Sequence, residues 1–188
     1  MKILIFLVLM IMSNTSFSKS LFIGDSLTYS LASSFSKIEP VDAKFLESTG
    51  LKSDNILSWT DYIETMDLSN YDRIYIVLGI NDMINENDEI FYQDRVDTFI
   101  MSLLNKNKNI IWLLPPVLKN AKHESMLLYT RSIIKAACIE HSVDFFDMRD
   151  VLGYNFMQTV NDRNIRTDDG IHITPYGADR VITNLLLR

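Results

Sequence analysis

Short apolar runs alternate along this chain with longer stretches in which apolar residues recur every three or four positions. Residues 21–23 (LFI) form the first such run, cut off at Gly24-Asp25-Ser26, and Leu27, Leu31 and Phe35 then fall at helical spacing. A strand, a tight turn and a helix account for that order. The pattern repeats: residues 43–46 lead into Ser48-Thr49-Gly50, and Ile56, Trp59, Ile63 and Met66 follow with helical period. Residues 73–78 (RIYIVL) are β-branched and aromatic, close at Gly79 and precede a polar loop over 81–88, as a central strand should. Phe91, Val96, Phe99, Ile100, Leu103 and Leu104 predict a helix, and 109–114 (NIIWLL) predict a strand stopped by Pro115-Pro116, because the residue before a proline avoids helix. Leu127, Leu128, Ile133, Ile134, Ala137 and Cys138 mark another helix, 143–146 another strand and 175–187 a last helix.

Five strand-helix alternations predict an α/β fold, a three-layer α/β/α sandwich around a parallel five-stranded sheet, flavodoxin-like in outline. Crossovers in such sheets are right-handed, and ligands bind at the carboxyl ends of the strands.

The first residues break this pattern. Met1-Lys2 is followed by ten apolar residues, Ile3 to Met12, and then by the polar stretch Ser13-Asn14-Thr15-Ser16-Phe17-Ser18. That is the order of a secretory signal peptide, and a membrane span would need roughly 18 apolar residues. Small residues at Ser16 and Ser18 place cleavage before Lys19, which divides the chain into a signal peptide over 1–18 and a domain over 19–188. The expected location is exported, periplasmic or secreted, with no stable membrane insertion after cleavage.

Composition adds few constraints. Of 188 residues, 47% are hydrophobic and 22% charged, which suits one globular core. The net charge of −6 becomes more negative once Lys2 is removed, which argues against nucleic acid and anionic lipid as partners. The single cysteine, Cys138, cannot close an internal disulfide, and its apolar helical setting reads as a small buried hydrophobe.

Three polar clusters fall where the predicted fold opens its cleft: Gly24-Asp25-Ser26-Leu27 after the first strand, Gly79-Ile80-Asn81-Asp82 after the third, and Asp169-Gly170-Ile171-His172 late in the chain. Acyl transfer needs an activated hydroxyl, a base, a group orienting that base and donors aimed at the developing oxyanion. Ser26 at a helix start supplies the hydroxyl, though serine there also reads as a helix cap. Asp169, three residues before His172, lets one turn join carboxylate and imidazole. Thr174-Pro175 reads as helix cap and first helical position, holding His172 against a helix start. Asn81 offers a side-chain amide and Gly50 a backbone N–H, although a glycine after a strand also serves as a plain turn. His123 and His141 lack such neighbours and read as exposed helix residues. The segment 153–168, with Arg163 and Arg166, reads as a solvated surface loop; contact with an acidic or hydroxyl-rich substrate is the alternative. With one histidine in these clusters, a metal site is not expected.

These blocks, Gly24 to Leu27, Gly50, Gly79 to Asp82 and Asp169 to His172, resemble in order those of the SGNH, or GDSL, hydrolase family, over nearly all of residues 19–188. Thr49-Gly50, the helix around Trp59 and Leu114-Pro115-Pro116 are similar to an exported bacterial cell-envelope branch. The resemblance implies the SGNH fold, a Ser26, Asp169 and His172 triad, and an oxyanion hole from the Ser26 and Gly50 N–H groups and Asn81. It makes Asp25 a structural aspartate that holds neighbouring loops, and Asp82 reads the same way. No cofactor is implied. The activity implied is ester hydrolysis through an acyl-serine, with O-acetyl groups of a cell-envelope glycan as the preferred substrate and a rate that rises as the base becomes neutral, through roughly pH 6 to 7. Short-chain lipid or thioester hydrolysis, O-acetyl transfer with a separate membrane partner, and glycan binding without catalysis remain the alternatives.

Overall fold

The computed structural model describes residues 19–188; the signal-peptide assignment over 1–18 lies outside the described residues. Strands β1 (Ser20–Gly24), β2 (Val41–Phe45), β3 (Arg73–Val77), β4 (Ile110–Leu114) and β5 (Asp144–Asp147) form one parallel sheet in the order β2-β1-β3-β4-β5. The chain steps outward from β1 to β2 and then to β3 on the other side of β1. The sheet order therefore reverses at β1, between the loops that carry Ser26 and Asn81.

Helices α1 (Leu27–Phe35), α5 (Arg149–Leu152) and α6 (Pro175–Leu186) cover one face of the sheet. On the other lie α2 (Trp59–Glu64), α3 (Glu89–Leu104) and α4 (Ala121–Glu140). Successive strand side chains point to opposite faces, so each inner strand contributes to both cores. Leu21, Ile23, Ile74, Ile76, Trp112 and Leu114 pack with α2, α3 and α4, while Phe22, Tyr75, Val77 and Leu113 pack with α1, α5 and α6. Phe22 stacks on Tyr75 at 4.4 Å between ring centroids, and Phe35 closes on both. This double burial is why these strands read as continuous apolar runs.

Three helices differ from the expected pattern. The second was predicted from Ile56 to Met66 but starts at Trp59, because the Ser58 hydroxyl accepts from Asp61 N–H and caps it there; Ile56 stays exposed. In α3 the buried stripe runs through Tyr92, Val96, Phe99, Ile100 and Leu103, and Phe91 and Leu104 lie off it, Phe91 exposed. In α4 Leu128 is likewise exposed, whereas Cys138 is buried as expected.

The segment 153–168 is more structured than a solvated loop. It contains the hairpin β6 (Thr159–Val160) and β7 (Arg163–Asn164), and Arg166 is 1% exposed. His141 is not an exposed helix residue: it caps the end of α4, half-buried, with Nε2 2.9 Å from Asp97. His123 is exposed near the start of α4. Among the described residues no helix is long and apolar enough to cross a membrane.

Candidate functional site

The turn after β1 is shaped by backbone crowding. Gly24 has φ +150°, and a β-carbon there would come 1.8 Å from the Val77 carbonyl oxygen of β3, so only glycine fits. Asp25 N–H then donates to that carbonyl at 2.9 Å, and Ser26 follows at the mouth of α1. The Ser26 hydroxyl does not cap the helix. Asp25 Oδ1 instead accepts from Leu27 N–H at 3.0 Å, which leaves the serine oxygen available.

That oxygen lies 2.9 Å from His172 Nε2, and His172 Nδ1 lies 2.7 Å from Asp169 Oδ2. The second carboxylate oxygen of Asp169 accepts from the Thr167 hydroxyl at 2.6 Å, Ile171 N–H at 2.7 Å and His172 N–H at 3.0 Å. Burial alone would raise the Asp169 carboxyl, but the Thr167 hydroxyl, the imidazole and the two N–H groups outweigh it and hold the group well below the usual carboxylate range. The carboxylate is thus fixed as an anion facing the ring, which favours the tautomer with hydrogen on Nδ1 and a lone pair on Nε2 toward Ser26.

On the other side of Ser26, the loop after β2 is tied down: Leu46 N–H donates to Gly24 O at 3.0 Å, the Thr49 hydroxyl to Leu46 O at 2.6 Å, and Trp59 Nε1 to the Thr49 hydroxyl at 3.1 Å. Asn81 Nδ2 donates to Thr49 O at 2.8 Å, bringing the amide beside Gly50 and leaving its second hydrogen free. The N–H groups of Ser26 and Gly50 have no protein acceptor among the hydrogen bonds of the described residues. A hollow of about 260 Å³ adjoins Gly50 and Asn81, lined also by Ser48, Lys52, Ser53, Asn55 and Ile56 among others. A depression of about 350 Å³ lies at the opposite end of the sheet, by Arg73, Asp144 and Arg188, away from all of these groups.

Two buried carboxyls underlie the site. Asp82 accepts from Tyr92 hydroxyl at 2.6 Å and Lys52 N–H at 2.9 Å, anchoring the loop that follows Gly50; burial raises its pKa against the lowering effect of those bonds. Asp25 is raised well above the usual range, first by burial and further by Asp82, with the N–H groups of Leu27 and Ile80 opposing. Its Oδ2 has no partner, so a neutral carboxyl avoids an unpaired buried charge. Both aspartates accept hydrogen bonds from backbone N–H groups of the loops around the site. Among the described residues no group of three or more His, Cys, Asp or Glu side chains is placed to hold a metal ion.

The sequence reading placed Arg166 in a surface loop and missed its role. Its guanidinium donates to the carbonyls of Val117 at 2.6 Å, Ile171 at 2.7 Å, His172 at 3.2 Å and Gly170 at 3.5 Å. Its place three residues before Asp169 was visible, but nothing in the local pattern marks a buried arginine. Tyr92, the partner of Asp82, was missed because Phe91 beside it satisfied the same apolar period.

Comparison with solved structures finds similar folds throughout. The carbohydrate acetylesterase Est24 from Sinorhizobium meliloti is 16% identical, with a TM-score of 0.66 over 89% of this chain and 96% of that one. The M. smegmatis aryl esterase is 16% identical with a TM-score of 0.66 over 89% and 96%. A member of the lipolytic G-D-S-L family from Veillonella parvula is 15% identical with a TM-score of 0.68 over 90% and 97%. At these identities the likeness establishes the fold, that of the GDSL/SGNH hydrolases, which the four sequence blocks anticipated. No curated protein matches the chain. Residues 19–188 match the family described as "Protein of unknown function (DUF459)", and the chain therefore belongs to that family, built on the GDSL/SGNH fold.

Proposed function

We propose that this protein is a serine esterase that hydrolyses carboxylic esters through an acyl-Ser26 intermediate. The observation that carries the reading is the unbroken line Ser26 Oγ, His172 Nε2, His172 Nδ1, Asp169 Oδ2, with contacts of 2.9 and 2.7 Å. In the proposed reaction Ser26 Oγ bonds to the ester carbonyl carbon while its proton passes to His172 Nε2. The oxyanion so formed accepts from the N–H groups of Ser26 and Gly50 and from the free amide hydrogen of Asn81. Collapse breaks the ester C–O bond, and His172 returns its proton to the leaving alkoxide. Water then attacks the acyl-Ser26 carbonyl with His172 again taking the proton, which releases the acid and restores the serine.

The proposed substrate is an O-acetylated glycan outside the cytoplasm. Supporting this are the hollow beside Gly50 and Asn81, which offers the side chains of Ser48, Lys52, Ser53 and Asn55 as hydrogen-bonding partners for a sugar, and the apolar run over residues 3–12. The similar folds of Est24, described as a carbohydrate acetylesterase, and of other esterases point the same way. The test is release of 4-nitrophenol from 4-nitrophenyl acetate by the purified protein and by Ser26→Ala, side by side. Turnover confined to the wild type supports the reading; equal turnover in both, or none in either, rejects it.

A further inference from the structure

Residues 169–172 form a short turn whose backbone polar groups are sorted by direction. The N–H groups of Ile171 and His172 face Asp169 Oδ1. The carbonyls of Gly170, Ile171 and His172 face the guanidinium of Arg166. The peptide dipoles of the turn therefore lie between an anion on their N–H side and a cation on their carbonyl side, so either charge orients them in the same sense.

Arg166 is held as firmly as the turn it serves. One branch of its fork reaches Val117 O in the loop after β4, and its own carbonyl accepts from Gln158 Nε2 at 2.7 Å. That loop is fixed in turn by a second buried arginine: Arg131 pairs with Glu124 and donates to Pro116 O at 3.2 Å, while Glu124 accepts from Leu118 N–H at 2.8 Å. Lys119 N–H also reaches Gly170 O at 3.1 Å. Burial lowers the Arg166 pKa to about 10, which leaves it charged at neutral pH. A lysine could not replace it, since donors radiating from one nitrogen cannot meet carbonyls spread across two loops.

We propose that Arg166 is the positioning residue of the site: its guanidinium grips the carbonyls of residues 170–172 and pins them to the loop after β4, so that the His172 ring meets Asp169 and Ser26 at once. It touches no reacting atom and acts through His172. The proposal rests on the esterase reading for its kinetic consequence, but the placement of the ring is measurable without turnover.

The experiment compares wild type with Arg166→Met and Arg166→Lys, with Arg131→Met as a buried-arginine control one loop further from the ring. Folding is checked by circular dichroism and thermal unfolding, the His172 tautomer is read from the ¹⁵N shifts of its imidazole, and kcat and KM are measured on 4-nitrophenyl acetate. Expected are a predominantly Nδ1–H ring in wild type, a shift toward a mixed population in both Arg166 variants, and a fall in kcat of about 30-fold or more with KM within about threefold, as loss of alignment predicts. Arg131→Met should lose thermal stability while keeping the tautomer. If Arg166→Met does not fold, Arg166→Lys decides. An unchanged tautomer in a folded Arg166 variant, or a change no larger than in Arg131→Met, overturns the proposal. Absence of turnover in wild type with the tautomer shift intact overturns the esterase reading alone.

Discussion

Gly50 and Asp82 are so close that a β-carbon at position 50 would come 2.0 Å from Asp82 Oδ1. The contact explains why the residue before Leu51 has no side chain. The carboxylate cannot simply swing away, because it holds Lys52 N–H and the Tyr92 hydroxyl. Gly50→Ala should therefore destabilise the fold by about 1–3 kcal/mol, as overpacking does, and cut kcat by displacing the Gly50 N–H. Urea unfolding and ester turnover measured together check both halves. A stable variant with unchanged kcat would show that the loop adapts.

Asn81 has one amide hydrogen on Thr49 O and one free. Asn81→Ala should lower kcat by roughly 10²- to 10³-fold, the usual effect of losing an oxyanion donor, with little change in KM. Steady-state kinetics decide the point. An effect confined to KM would assign the amide to substrate binding instead.

Ser26 makes no capping bond, so its hydroxyl adds little to the helix. Ser26→Ala should abolish turnover yet leave stability within about 0.5 kcal/mol of wild type. Chemical denaturation of the inactive variant tests this, and a large loss of stability would mean that the hydroxyl has a structural task.

Asp169 has a folded-state pKa below its unfolded value, so its contribution to stability is present above the ordinary carboxylate value of ~3.9 and is lost as pH falls through the folded value. The stability gap between wild type and Asp169→Asn should therefore shrink between pH 5 and pH 2. Because the side chain is 46% exposed, the gap should be modest. In turnover the same variant should lose about 10³- to 10⁴-fold in kcat, through the wrong imidazole tautomer. A gap that is constant with pH would place the carboxyl at its ordinary value.

Asp25 has the opposite sign. Its folded pKa is raised, chiefly by burial, so stability is lost as pH climbs from the ordinary carboxylate range toward the folded value, where the unfolded chain ionises and the folded one does not. Asp25→Asn keeps an acceptor for Leu27 N–H and removes that titration. Relative to wild type it should gain stability between pH 4 and pH 8 in urea unfolding, and a pH-independent difference would contradict a neutral Asp25.

Much of this architecture is written in local sequence. The continuous apolar runs at 21–23, 73–78 and 109–114, switching to a helical period after each, specify a doubly covered parallel sheet, because strand side chains alternate faces and a run apolar at every position must be buried on both. The pairing of Asp169 with His172 is also local, since a single turn spans three residues. Helix ends and faces were less legible: Ser58 caps later than the apolar period suggests, and Phe91 and Tyr92 compete for one buried stripe until α3 docks.

What the sequence by itself determined is the order of strands and helices and the three blocks that meet at the strand ends, because each depends on residues within one turn or one strand of each other. Only the tertiary structure decided that Ser26 meets His172 across 146 residues of chain, that Asp82 takes the Tyr92 hydroxyl, and that Arg166 leaves solvent to grip Val117, 49 residues away. The reason is physical. Arg166 is buried because carbonyls from separate segments converge to replace its water, and such convergence has no local period to announce it.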